Sequence, residues 1–139
     1  MKQLLLLTTI TILMLAGKCE ETPKDKGYQL GQPFTLRVQE LMECDCDAPE
    51  IKFEGVKEDS RCPKHTNCVW AGQVIVQLSL AGSAGIEPLE LTLQEGKPEL
   101  ASKTAGGYIY RLEEVAPYPE AGKKIAPKDY TLQLVVEKP

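Results

Sequence analysis

The sequence predicts an all-β protein: an antiparallel β-sandwich of about six to seven strands, with a partly open barrel as the second choice. Three observations carry this. Apolar and polar residues alternate from Gln32 onward, the period of half-buried strands. Helical spacing is weak throughout. The stretches between the alternating runs are rich in Gly, Pro, Asn and Asp.

Each element follows from its pattern. Phe34, Leu36 and Val38 alternate with Thr35, Arg37 and Gln39, giving a first strand. Ile51 and Phe53 set the face of a second, and the parity moves to Val56 across Gly55, as a bulge would make it do. Cys68, Trp70, Val74, Val76, Leu78 and Leu80 share one parity, interrupted only at Gly72. Gly82-Ser83-Ala84-Gly85 has hairpin length and leads into Leu89, Leu91 and Leu93. Gly96 to Gly107 reads as a mobile loop. Tyr108, Tyr110 and Leu112 make a further strand, followed by a short helix around Arg111 to Ala116 that Pro117 stops. Leu132, Leu134 and Val136 form the last strand.

The 139 residues, 42% hydrophobic and 26% charged, suit one folded domain of ordinary size. Sixteen basic against twenty acidic residues give a net charge of −4. That balance argues against a nucleic-acid binder, which needs a basic stripe to neutralise phosphates. No Walker, Rossmann or serine-protease pattern is present. His65 is the one imidazole, so a nucleophile–base pair is hard to assemble. The pairs Glu113-Glu114 and Glu20-Glu21 read as solvated carboxylates. The expectation is a non-enzymatic chain with no cofactor, metal or nucleic-acid partner.

The N-terminus has Met1-Lys2, an apolar run from Leu4 to Ala16, then Gly17-Lys18-Cys19. One positive charge before a short hydrophobic stretch is the layout of an export signal, and the stretch is too short to span a bilayer. Leu15-Ala16-Gly17-Lys18-Cys19 resembles a bacterial lipobox, in which cleavage precedes a cysteine that receives diacylglycerol. The resemblance implies a signal peptide over 1–18, lipidation at Cys19, a charged tether over 19–29 and a domain over 30–139. Acidic residues behind the cysteine resemble those of exported Gram-negative lipoproteins, which places the expected chain on the outer membrane, with a soluble periplasmic or secreted form as the alternative. Removing Lys2 and Lys18 would shift the charge from −4 to −6.

Five cysteines are an odd count for an exported chain. Lipidation of Cys19 would account for one and leave Cys44, Cys46, Cys62 and Cys68. Cys62–Cys68 is the favoured bridge, closing a loop worth about 2 kcal/mol on the chain-entropy model. Cys44 and Cys46 could bond each other, cross-link to Cys62 and Cys68, or stay reduced.

One segment stands apart: Asp59-Ser60-Arg61-Cys62-Pro63-Lys64-His65-Thr66-Asn67-Cys68-Val69-Trp70-Ala71-Gly72. It resembles an uncharacterised family of small bacterial secreted proteins and lipoproteins with the pattern D-S-R-C-P-x4-C-[VI]-W-x-G. Gly107-Tyr108, Pro117-Tyr118-Pro119 and Tyr130-Thr131-Leu132 extend the resemblance toward the C-terminus. The segment reads as a structural staple: a hairpin with Cys62, Cys68 and Trp70 on the core face, the indole packed on the disulfide, and Asp59 and Arg61 pointing outward. The functional alternative makes Arg61 and Lys64-His65-Thr66-Asn67 a ligand-reading tip. Tyr118, between two prolines, could anchor a protein partner.

The resulting expectation is a monomeric, lipid-anchored binding module of the cell envelope, whose partner is an envelope protein or a small molecule. The competing class is a zinc, copper or thiol-redox protein using Cys44, Cys46, Cys62, Cys68 and His65.

Overall fold

The computed structural model describes residues 27–139. The signal segment, Cys19 and most of the tether therefore lie outside the described residues. In chain order the strands are β1 (Gly27–Tyr28), β2 (Phe34–Arg37), β3 (Leu41–Cys44), β4 (Glu50–Asp59), β5 (Gln73–Gly82), β6 (Gly85–Gln94), β7 (Ser102–Ala105), β8 (Tyr108–Ala116) and β9 (Thr131–Glu137). Short 3-10 turns lie at Pro98–Ala101 and Pro127–Asp129. One sheet has the order β1-β3-β4-β5-β6 and the other β2-β9-β8-β7. The two face each other as a sandwich and do not close into a barrel.

The core sits between them. Ile51, Phe53, Val74, Val76, Leu78, Leu80, Leu89 and Leu91 point in from the first sheet. Leu36, Tyr108, Tyr110, Leu112, Leu132, Leu134 and Val136 point in from the second. These are the alternating residues of the sequence, and each large one buried contributes about 1.5–3 kcal/mol. The Tyr110 hydroxyl is buried without a hydrogen-bond partner among the described residues. Burial, with the neighbouring Tyr108 phenol, pushes it up to about 12.

The bulge expected at Gly55 is present. The β4–β5 register shifts between Phe53 and Gly55, and Gly55 has φ +152°, a region that favours glycine. The β5–β6 hairpin closes at Gly82↔Gly85, as its length suggested. From that closing pair, the odd residues of β6 bond to β5 and the even ones face the free edge. Pro88, which lacks an N–H, falls on that edge and blunts it against pairing with another strand.

Four expectations are corrected. Nine strands are found among the described residues, because β1 has two residues, β3 sets Leu41 beside Met42, and β7 has Ala105 as its one apolar residue, so none of the three shows a period. The helix around Arg111 to Ala116 is the second half of β8. A register shift between Leu112 and Glu114 moves the inward face from Leu112 to Val115, and that three-residue spacing imitates a helical turn. The stretch read as a mobile loop holds a 3-10 turn and β7, and Gly106 and Gly107, at φ +54° and +81°, make the two-residue turn into β8. The domain also starts earlier than residue 30. Tyr28 is buried, stacks on Phe34 with ring centroids 4.8 Å apart, and donates its hydroxyl to the Pro49 carbonyl at 2.6 Å. β1 pairs in parallel with β3, whereas the other strand pairs among the described residues are antiparallel.

Candidate functional site: the tip beyond β4

β4 ends at Asp59, where the ladder with β5 closes through the Ser60 N–H to the Gln73 carbonyl at 2.8 Å. Residues between Ser60 and Gln73 then leave the sheet as an ordered excursion. Gly72 makes this possible, since a Cβ there would lie 2.1 Å from the Ser60 carbonyl oxygen. No side chain fits such an approach.

Arg61 turns inward and is 8% exposed. Its Nε donates to Asp59 Oδ1 at 2.8 Å and its Nη2 to Oδ2 at 2.7 Å, a two-pronged carboxylate contact. Nη1 also donates to the Val115 carbonyl at 2.6 Å, and Nη2 to the Pro117 carbonyl at 3.0 Å. Tyr130 donates its hydroxyl to Asp59 Oδ2 at 3.0 Å. One guanidinium thus ties the end of β4 in the first sheet to the end of β8 in the second. Burial by itself would raise the Asp59 carboxyl; the hydrogen bonds and charge of Arg61, with Tyr130, outweigh it and hold the group below its ordinary value. Burial and the Asp59 carboxylate push Tyr130 up to about 12.

The Cys62–Cys68 bridge closes the loop beyond, with Cα atoms 5.9 Å apart. Thr66 donates to the Pro63 carbonyl from its hydroxyl at 2.6 Å and from its N–H at 3.3 Å. The loop is pinned to the Pro117–Pro119 turn by the Lys64 N–H, which donates to the Pro119 carbonyl at 2.9 Å. The Arg61 guanidinium lies 5.0 Å from the Tyr118 ring centroid and Lys64 Nζ 5.8 Å from it.

This arrangement corrects the staple in two respects. Neither Asp59 nor Arg61 points outward: the side chains of both are buried, and Arg61 is the tie of the segment. Trp70 does not pack in the core beside the disulfide: it is 63% exposed, and Val69 is 95% exposed. The parity that linked Cys68 and Trp70 to Val74 is a coincidence, because the chain is not in the sheet until Gln73. Trp70 and Tyr118 (itself 45% exposed) flank a hollow of about 320 Å³ that Gly72 and Leu93 also line.

Cys44 and Cys46, the pair left open, are bonded to each other with Cα atoms 5.0 Å apart. They sit beside Glu50, at the opposite end of β4 from Asp59. Ten residues of strand separate the ends by about 30 Å. The structure therefore does not bring Cys44, Cys46, Cys62, Cys68 and His65 together. Among the described residues no group of three or more His, Cys, Asp or Glu is placed to hold a metal ion.

Of the motif residues singled out in the sequence, Asp59, Arg61, Cys62, Cys68, Trp70 and Gly72 all meet at this tip. Tyr130 and the Val115 carbonyl were missed as partners of the ion pair. The approach of a strand end from the other sheet has no local sequence signal. Comparison with protein families, curated proteins and solved structures found no match.

Proposed function

We propose that this chain is a non-enzymatic binding module, exported and held to the outer membrane through a lipid on Cys19, whose recognition element is the tip formed by Val69, Trp70 and Tyr118. The observation that carries this reading is the contrast within one loop. A buried arginine, a disulfide and an obligatory glycine fix the segment, and what it presents is an exposed valine and tryptophan. Rigid aromatic residues held in advance are what interface hot spots are made of, because little ordering remains to be done on binding. Two disulfides support maturation in an oxidising compartment. The proline on the free edge of β6 supports a monomer that binds through its tip and not through strand pairing.

The test uses the tryptophan itself, the only one in the chain. A photocrosslinking residue at position 69, in cells that express the protein, is expected to trap a discrete adduct that Trp70→Ala and Tyr118→Ala reduce. Trp70→Ala should keep the wild-type melting temperature, and Tyr118→Ala should lower it by only a few degrees, the cost of its contact with Arg61. A crosslinking pattern unchanged by the two substitutions would remove the tip from the function. Fatty-acid labelling lost in Cys19→Ala tests the anchor separately.

A further inference from the structure

The opposite end of the sandwich carries a second, chemically different feature. We propose that Cys44–Cys46 is an exchange-competent disulfide that accepts a thiol borne on a positively charged carrier. This inference stands apart from the binding role of the tip. It begins from the chain geometry: the bridge spans a single residue, Asp45. So short a ring restrains little of the unfolded chain, and little of the fold depends on it. The β3–β4 ladder is already made at Leu41↔Lys52 and Met42↔Ile51, before the cysteines are reached.

Access differs between the two sulfurs. Cys46 is exposed, whereas Cys44 is half-buried and continues the parallel pairing with Tyr28. Among the described residues no hydrogen bond reaches either sulfur. Cys62–Cys68 is the contrast, for the Thr66 hydroxyl lies 3.4 Å from Cys62 Sγ and 3.9 Å from Cys68 Sγ in a loop pinned on both sides. A surface hollow of about 640 Å³ opens beside Cys44 and Cys46, wide enough for an incoming group.

Charge selects that group. Glu43, Asp47 and Glu50 line that hollow with the two cysteines, Asp45 lies between the cysteines in the chain, and none of the four forms an ion pair among the described residues. Their field repels an anionic thiol and draws in a cationic one. In the exchange, the incoming thiolate attacks Cys46 Sγ and forms a mixed disulfide. The Sγ–Sγ bond breaks and its electron pair leaves on Cys44, which takes a proton from water. A second thiol then attacks the carrier's sulfur, the carrier leaves as a disulfide, and Cys46 departs as a thiolate that is protonated in turn. Two thiols are oxidised to one disulfide and the Cys44–Cys46 bridge is reduced by two electrons.

The experiment reduces the full, doubly bridged chain with cysteamine, mercaptoethanol or mercaptoacetate, traps thiols over time and maps them by peptide mass spectrometry. Rates are normalised to those of the same thiols with a neutral model disulfide. Cys44–Cys46 is expected to open at least about tenfold faster than Cys62–Cys68. The normalised order should run cysteamine, mercaptoethanol, mercaptoacetate, with the spread shrinking at high salt. Circular dichroism should stay native as the first bridge opens. A cysteinyl peptide flanked by lysines is the second arm: if it outpaces cysteamine the carrier is a polypeptide, and if it only equals it the carrier is a small thiol. Simultaneous loss of both bridges, earlier loss of Cys62–Cys68, a charge-independent rate, or reduction coupled to loss of the native spectrum would each overturn the proposal.

Discussion

The two ends of β4 carry the same covalent device and use it in opposite ways. At the Asp59 end the disulfide belongs to a constellation: Arg61 reaches across the sandwich, Gly72 lets the backbone close up, and the Thr66 hydroxyl lies against both sulfurs. At the Glu50 end the bridge spans one residue and sits at the surface among carboxylates that form no ion pair with the described residues. The difference teaches that a bridge is structural to the extent that other interactions depend on the position it fixes. The first end is an integrated tie with an apolar tip on it. The second is a covalent ornament on a sheet that is already formed.

The sharpest way to break this comparison is to remove the tie. Arg61→Ala would leave the Asp59 carboxylate buried and the Val115 and Pro117 carbonyls without their donor. A loss of about 3–5 kcal/mol in urea unfolding is expected, the cost of breaking one side of a buried pair. A loss below about 1 kcal/mol would show that the arginine is surface-like, and the integrated end would lose its basis.

The next effect separates the bridges directly. Cys62→Ser with Cys68→Ser should cost about 2 kcal/mol, and Cys44→Ser with Cys46→Ser less than that, with little change in melting temperature. Equal losses in the two double variants would erase the distinction.

Acid titration sharpens the same point. The Asp59 carboxyl is held below its unfolded value, so its contribution is present above the unfolded pKa and is lost as pH falls through the folded one. Urea midpoints measured from pH 5 downward should therefore fall less steeply in Asp59→Asn than in the wild type. An unchanged slope would mean that the carboxylate is not stabilised in the fold.

The smallest effect is at the tip. Trp70→Ala is expected to change stability by no more than about 0.5 kcal/mol, as a surface substitution does. The wild-type emission should be that of a solvent-exposed indole. A blue-shifted spectrum, or a variant that unfolds several degrees early, would return Trp70 to the core.

Much of the fold was legible because strand period and burial are the same fact. Leu78, Leu80, Leu89 and Leu91 alternate in the chain and all point inward in the sandwich. The hairpin at Gly82–Gly85 and the bulge at Gly55 were legible for a similar reason, since turn length and a face change leave local marks. The 111–116 segment was misread where a bulge and a helix leave the same three-residue spacing. At the site the motif residues were identified, but their directions were not. Arg61 was assigned outward by its parity with Asp59, and Trp70 inward by its parity with Val74. Neither residue is in a strand, so neither parity applied.

What the amino-acid order determined alone is the all-β architecture, the inward faces of the long strands and the short Cys62–Cys68 loop, because each follows from spacings of a few residues. The tertiary structure decided that Arg61 is buried and Trp70 exposed. The carbonyls of Val115 and Pro117 that capture the guanidinium come from the other sheet, more than fifty residues further along. Only docking of the two sheets brings those groups within hydrogen-bonding reach, so no spacing within the 59–72 segment could show which way its side chains would turn.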